Sequence, residues 1–211
     1  MAFFIKANGS SEAWPKILRT IMDSGASRTK DEWGSDTKEV LNLVVNLREP
    51  SSGILNIPAG YSWTKEKLEE YASKEFLSSD KHGFEYTYGS RLLDYAGINQ
   101  AEEVISRLKR SPATRRAVAV SWDPRIDTKS EEVPCVVLWD WKLRDGKVHQ
   151  TTIIRSNDMY GAWPANVFGL TRLLEYVAKG VGAQPGELTT QSISAHIYAR
   201  DFDLVNKILG R

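Results

Sequence analysis

Apolar residues recur at helical spacing through "SEAWPKILRTIMDSG" (residues 11–25), which closes on a glycine. The pattern then changes to alternation in "EVLNLVVNLREP" (39–50), a strand halted by Pro50. Two more amphipathic helices follow. "TKEKLEEYASKEFLSSD" (64–80) opens on a threonine able to cap it, and "QAEEVISRLKRSP" (100–112) is closed by Pro112. "RRAVAVSWDP", "VPCVVLWDWKLR" and "KVHQTTIIRS" then predict three strands, the last two joined by Asp145-Gly146, the two-residue signature of a type I′ hairpin. A long helix from about Asn166 to Lys179, a Gly-rich exit, a strand through "LTTQSISAHIY" and a short final helix complete the chain. With no linker, repeat or low-complexity tract, this order predicts one α+β domain over residues 1–211.

Composition narrows the partners more than the fold. The chain is 41% hydrophobic and 26% charged, ordinary for a globular protein, and its net charge of +1 supplies no basic field for wrapping DNA. A small anion must instead be caught by a few placed cations. One cysteine, Cys135, excludes an internal disulfide and a cysteine-rich metal site, so no metal is expected. "MAFFIKANGS" carries no apolar run of leader or membrane-anchor length, which predicts a cytoplasmic protein without membrane contact. Seven tryptophans are many, and those in "LWDWKL" are expected to pack the sheet.

Several residues carry candidate chemistry. Cys135 follows Pro134 at a strand start, where the plainer reading is a small buried thiol. The hairpin brings Arg155 and Ser156 back toward it, and a cation there would favour the thiolate, the attacking form. Arg115 and Arg116 stand in succession, either solvated or as a phosphate clamp, and Arg28 offers a third cation from a loop. His196 and Tyr198, two apart on one strand face, present polar tips suited to a sugar hydroxyl, unless His196 is simply a satisfied core residue.

Taken in order, "RRAVAVSWDP", "VPCVV", "HQTTIIRSNDMYGAWPANVFGL", "GELTT" and "SAHIYARD" resemble thymidylate synthase and its pyrimidine hydroxymethylase relatives, which share a Cys after Pro, R-S-x-D, P-x-N and H-x-Y. "GASRT" and "FEYTYGSRL" extend the likeness toward the N-terminus, and "SISAH" in place of G-D-x-H resembles the short archaeal branch. The resemblance implies a large twisted mixed β-sheet flanked by helices, and a homodimer through the sheet face with shared sites. It implies C5 methylation of dUMP to dTMP, with CMP or dCMP hydroxymethylation as the alternative and a non-catalytic nucleotide-binding or RNA-binding relative as a second. The partners it implies are a pyrimidine nucleoside monophosphate and a reduced pterin, either methylene-tetrahydrofolate or methylene-tetrahydromethanopterin.

Residue by residue, the resemblance makes Cys135 the nucleophile at C6 and Tyr88 the aid to proton removal from C5. Arg28, Arg155 and Ser156 become phosphate ligands, joined by Arg115 and Arg116 from the partner subunit. Asp158 becomes the pterin ligand, Asn166 the reader of the pyrimidine edge, and His196 with Tyr198 the sugar ligands. The family's catalytic carboxylate falls among Glu66, Glu69 and Glu70, with Glu69 preferred. An amide at 166 suits uracil, whose O4 accepts beside an N3–H donor. The chain departs from the family at Val136, where His is usual, at Ile154 for Gln, and at Ala162 and Ala165 for a Gly and an aromatic. Only 13 residues follow Tyr198, so the segment that covers the cofactor in most members is expected to be missing or replaced.

Overall fold

The computed structural model describes residues 2–28, 34–53 and 57–211. Its elements run β1 (Phe3–Ala7), α1 (Ser10–Ser24), β2 (Ala26–Arg28), β3 (Thr37–Leu47), α2 (Pro50–Gly53), α3 (Lys65–Glu75), α4 (Tyr88–Leu93), α5 (Gln100–Arg110), β4 (Val118–Val120), β5 (Val136–Arg144), β6 (Lys147–Asp158), α6 (Trp163–Val181), β7 (Gln184–Tyr198) and α7 (Phe202–Ile208). Seven strands form one mixed sheet in the order β1-β3-β7-β6-β5-β4, with β2 also on β3. The β1/β3 and β6/β7 pairs are parallel and the others antiparallel.

The α+β order read from the pattern holds, and its differences from the structure have local causes. The hairpin turns at Asp145 (φ 50°) and Gly146 (φ 72°), the two positive angles that a type I′ turn requires. α6 begins at Trp163, three residues before the expected start, because Pro164 sits in the first turn, where its missing N–H has no helical partner to lose. α3 keeps its threonine cap, Lys67 N donating to Thr64 Oγ1, but stops at Glu75. The strand expected over 115–124 is only Val118–Val120, and Arg115 and Arg116 precede it in irregular, exposed chain. β1 was not anticipated; five residues carry little periodicity, and their pairing partner Leu43–Leu47 lies some forty positions away.

The core lies between one sheet face and α1, α5 and α6, and Trp14, Trp139, Trp141 and Trp163 are fully buried in it. Trp139 and Trp141 thus pack the sheet as expected, Trp141 Nε1 donating to Gln150 Oε1 at 2.9 Å.

One irregularity positions everything that follows. In β7 the buried positions run Leu188, Thr190, Ser192 and then change phase to Ala195 and Ile197; in β3 they change between Leu43 and Val40; in β6 between Ile154 and Asn157. The breaks are in register, since Leu43 and Ile154 both pair with Ser192, and β5 shifts register between Val136 and Leu138 at the same level. Asn42, at φ 57°, supplies the left-handed residue that such a bulge needs. A line of bulges across four strands bends the sheet, and the polar residues of β6 and β7 lie at or just beyond it.

Candidate active site

Cys135 sits one residue before β5, beside the end of β6. Arg155 N donates to Cys135 O at 2.8 Å, while its guanidinium wraps the approach loop, Nε to Pro134 O at 3.1 Å and Nη2 to Val133 O at 2.9 Å. Hairpin register therefore brings cation and half-buried thiol together, as the sequence predicts. The electrostatic outcome differs from the expectation: burial pushes the thiol above its ordinary range, and the pull of Arg155 offsets this only in part.

Tyr88 opens α4 behind a capping box made by Thr87 and Ser90. Its ring lies 5.0 Å from Phe76 and 6.3 Å from Trp139, and burial, with the nearby Cys135 charge, holds its hydroxyl protonated. Arg91, on the same helix, forms a buried ion pair with Asp127 at 2.7 Å. This ties α4 to the loop that leads from β4 to the thiol.

The carboxylate beside Tyr88 is Glu75, outside the three residues proposed from sequence. Its Oε1 accepts from Tyr88 N at 3.2 Å, and burial raises its pKa to about 7, opposed by that backbone hydrogen bond. Glu69 is instead bound by the Arg172 guanidinium of α6, and Glu66 and Glu70 lie in solvent, the latter paired with Lys74 at 2.5 Å. Helix geometry explains the division. Glu75 is one turn beyond Tyr71 and two beyond the buried Leu68, on the inward face, whereas Glu69 is 100° round from Leu68.

Asn166, buried at the end of the first turn of α6, accepts at Oδ1 from the Tyr71 hydroxyl at 2.7 Å. Tyr71, Tyr86, Tyr88 and Glu75 all lie within electrostatic range of one another, and the three tyrosines within range of Cys135. Tyr71, Glu75 and Tyr86 were not anticipated; the i, i+4 spacing of Tyr71 and Glu75 was the signal available for two of them.

Asp158 closes β6. Its Oδ1 accepts from Tyr160 N at 3.0 Å and Gly161 N at 3.1 Å, shaping the turn into α6. A Cβ at position 161 would stand 2.7 Å from Asp158 Oδ2, so a side chain there would displace that carboxylate oxygen. Around the turn, Trp14 donates from Nε1 to Met159 O at 2.7 Å and stacks on Tyr160, while the Tyr61 hydroxyl donates to Gly161 O at 2.9 Å. His196 pairs with Asp158 in strand register, and its ring meets Tyr198 edge-on at 5.0 Å. Ser156, half-buried, pairs with Ser194.

Not every predicted residue converges. Val118 pairs with Asp140, so Arg115 and Arg116 flank the far end of β5, roughly 25 Å from Cys135 at about 3.3 Å per residue. Both are exposed and have no side-chain partner among the described residues. The side chain of Arg28 lies outside what the structure describes. No group of three His, Cys, Asp or Glu suited to a metal occurs among the described residues, and no described helix is long and apolar enough to cross a membrane.

The bent mixed sheet thus brings a thiol and a guanidinium together at its strand ends, with a buried amide on α6 and a carboxylate on α3 near them, in line with the motifs read from the sequence. Comparison with known proteins agrees. Residues 31–211 match the family described as "Thymidylate synthase", and the chain belongs to that family. It is 49% identical to a protein of Methanosarcina mazei over 206 residues, 97% of this chain and 94% of the relative. It is 44% identical to one of Methanothermobacter thermautotrophicus, covering 99% of each, and 37% identical to one of Methanocaldococcus jannaschii, covering 95% and 91%. Each of these is named "Putative thymidylate synthase".

Proposed function

We propose that the protein methylates dUMP at C5 to give dTMP, with a methylene-tetrahydropterin as cosubstrate. The observation that carries this reading is the clustering of Cys135 and Arg155 with Tyr88, Glu75 and Tyr71, and of Asn166 with them through the Tyr71 hydroxyl. Cys135, as thiolate, adds to C6 of the pyrimidine, and the electron pair of the C5–C6 bond moves toward C5 and O4. Asn166 donates from Nδ2 to O4, where charge develops, and its Oδ1 retains a lone pair for N3–H. Arg155 and Ser156 take the phosphate, and His196 and Tyr198 the sugar.

Proton removal from C5 falls to water held by Tyr88, a hydroxyl that burial keeps protonated and hence able to donate. Glu75, titrating near neutrality, exchanges a proton with the O4 side of the ring through water. A reduced pterin would meet Asp158 beside the half-buried rings of Tyr61 and Tyr160, because Asp158 Oδ2 is free of the turn hydrogen bonds and those rings, backed by the buried Trp14, offer aromatic surface. When bound it supplies the one-carbon unit and the reducing hydride.

The test is tritium release from [5-³H]dUMP with a methylene-pterin, followed by product analysis. Release from dUMP with dTMP formed is the expected result. Release from dCMP or CMP alone, with a hydroxymethyl product, would replace this reading with hydroxymethylation.

The distance of Arg115 and Arg116 from the thiol supports a homodimer in which each phosphate site borrows the partner's pair. Val118 (40% exposed), Val120 (45%) and Ile193 (39%) offer apolar surface on the sheet for that contact. Arg115→Ala and Cys135→Ala chains, each inactive alone, should regain up to about a quarter of full activity on mixing, since a random hybrid is half of the dimers and holds one intact site. Exchange of subunits without recovered activity would rule out the shared site.

A further inference from the structure

An amide presents a donor on one side and an acceptor on the other, so a buried asparagine selects a ligand only when its orientation is fixed. For Asn166 the fixing group is a tyrosine of α3. The Tyr71 hydroxyl donates to Oδ1 at 2.7 Å and makes no other hydrogen bond among the described residues. Turning the amide over would therefore set Nδ2–H₂ against the O–H and leave a buried hydroxyl proton without an acceptor. The tyrosine is itself held. Its ring meets Trp63 edge-on at 5.4 Å and Phe76 edge-on at 6.0 Å, and it stands on α3, the helix whose Leu68 and Ala72 pack against Ala165 and Phe168 of α6. Asn166 Nδ2 has no protein partner among the described residues and is not among the sealed, partnerless side-chain atoms of the chain.

We propose that Tyr71 is the specificity-determining residue of the site: by donating to Asn166 Oδ1 it locks the amide with Nδ2–H toward the C4 substituent of the pyrimidine, and so selects a keto oxygen over an amino group. Uracil O4 accepts from Nδ2–H, whereas cytosine N4–H₂ meets it donor to donor. The inference rests on the reading of Asn166 as the residue that faces the base, but not on the reaction that follows. Tyr71 acts through Asn166 and is a positioning residue.

The experiment is equilibrium binding of dUMP and of dCMP by calorimetry to the full chain, to Tyr71→Phe and Tyr71→Leu, and to Asn166→Ala with and without Tyr71→Phe. The unaltered chain should prefer dUMP, and Tyr71→Phe, which keeps the ring and its packing, should narrow the dUMP to dCMP affinity ratio about tenfold, the weight of one orienting hydrogen bond. Tyr71→Leu should narrow it to the same extent. In the Asn166→Ala background Tyr71→Phe should move the ratio less than twofold, because the group it orients is gone. A ratio unchanged in Tyr71→Phe or Tyr71→Leu, an effect that persists without Asn166, an unaltered chain that prefers dCMP, or one that binds neither nucleotide each overturns the inference. The expected binding pattern in a chain that releases no tritium from C5 would overturn the proposed reaction and leave the role of Tyr71 standing.

Discussion

Cys135→Ala is expected to lower tritium release from C5 of dUMP by roughly 10⁴-fold or more, while dUMP affinity stays within about tenfold. The two effects should separate because in the proposed reaction the thiol makes the covalent bond, whereas phosphate, sugar and base fall to other side chains. Without addition at C6, C5 has no enolate character and its proton is not labile. The uncatalysed barrier is then met in full. A Cys135→Ala chain that still exchanges the C5 proton at more than about one per cent of the normal rate would show that the nucleophile lies elsewhere.

Glu75→Gln should cost about 10²- to 10³-fold in the same assay, the usual weight of a positioned proton-transfer group, with little change in nucleotide affinity. It should also change how stability depends on pH, and the sign follows from the shift. Burial raises the Glu75 pKa from the ordinary 4.5 to about 7 in the folded chain. The folded state therefore holds this proton more tightly than the unfolded one. Protonation favours folding, so stability should rise as pH falls from about 7 toward 4.5, and the ionised form should be a liability above 7. With the solvent that still reaches this carboxyl screening part of the effect, the difference is roughly 2 kcal/mol. Chemical denaturation between pH 5 and 8 measures it. Glu75→Gln should flatten that profile and be the more stable chain at pH 8, as expected of a group kept for chemistry at some expense in stability. Equal pH profiles for the two chains, or full activity in Glu75→Gln, would remove Glu75 from the site and return the carboxylate to the exposed face of α3.

The contrast between Glu69 and Glu75 marks where linear reading of the chain ends. All the glutamates of α3 lie in one amphipathic helix, and the apolar stripe defines an inward face without saying what that face meets. Arg172, some hundred residues away in α6, neutralises Glu69, while burial raises Glu75 against the opposing hydrogen bond from the Tyr88 backbone. Charge environment is a property of three-dimensional neighbours, and periodicity does not carry it. The thiol shows the same limit. Hairpin register places Arg155 beside Cys135, yet the sign of the net shift is set by how deeply the thiol is buried, and there burial outweighs the cation.

What the sequence by itself determined was whatever depends on near neighbours in the chain. The Asp145-Gly146 turn sets the β5/β6 register as far as Leu138 and Ile153, and so brings the end of β6 to the neighbourhood of Cys135, because a two-residue loop leaves one way to pair its strands. Thr64 and Asn99 mark the starts of α3 and α5, since a cap needs only the N–H groups three residues on. The ordered motifs named the family that the comparisons then showed. Tertiary structure alone decided the bulges aligned across four strands, the addition of β1 to β3, the Tyr71 hydroxyl on Asn166, and the distance between Arg115 and Cys135. Each is a contact or a separation between segments that pattern and propensity treat as independent, and its energy comes from burial and hydrogen bonds that exist only once the sheet has assembled.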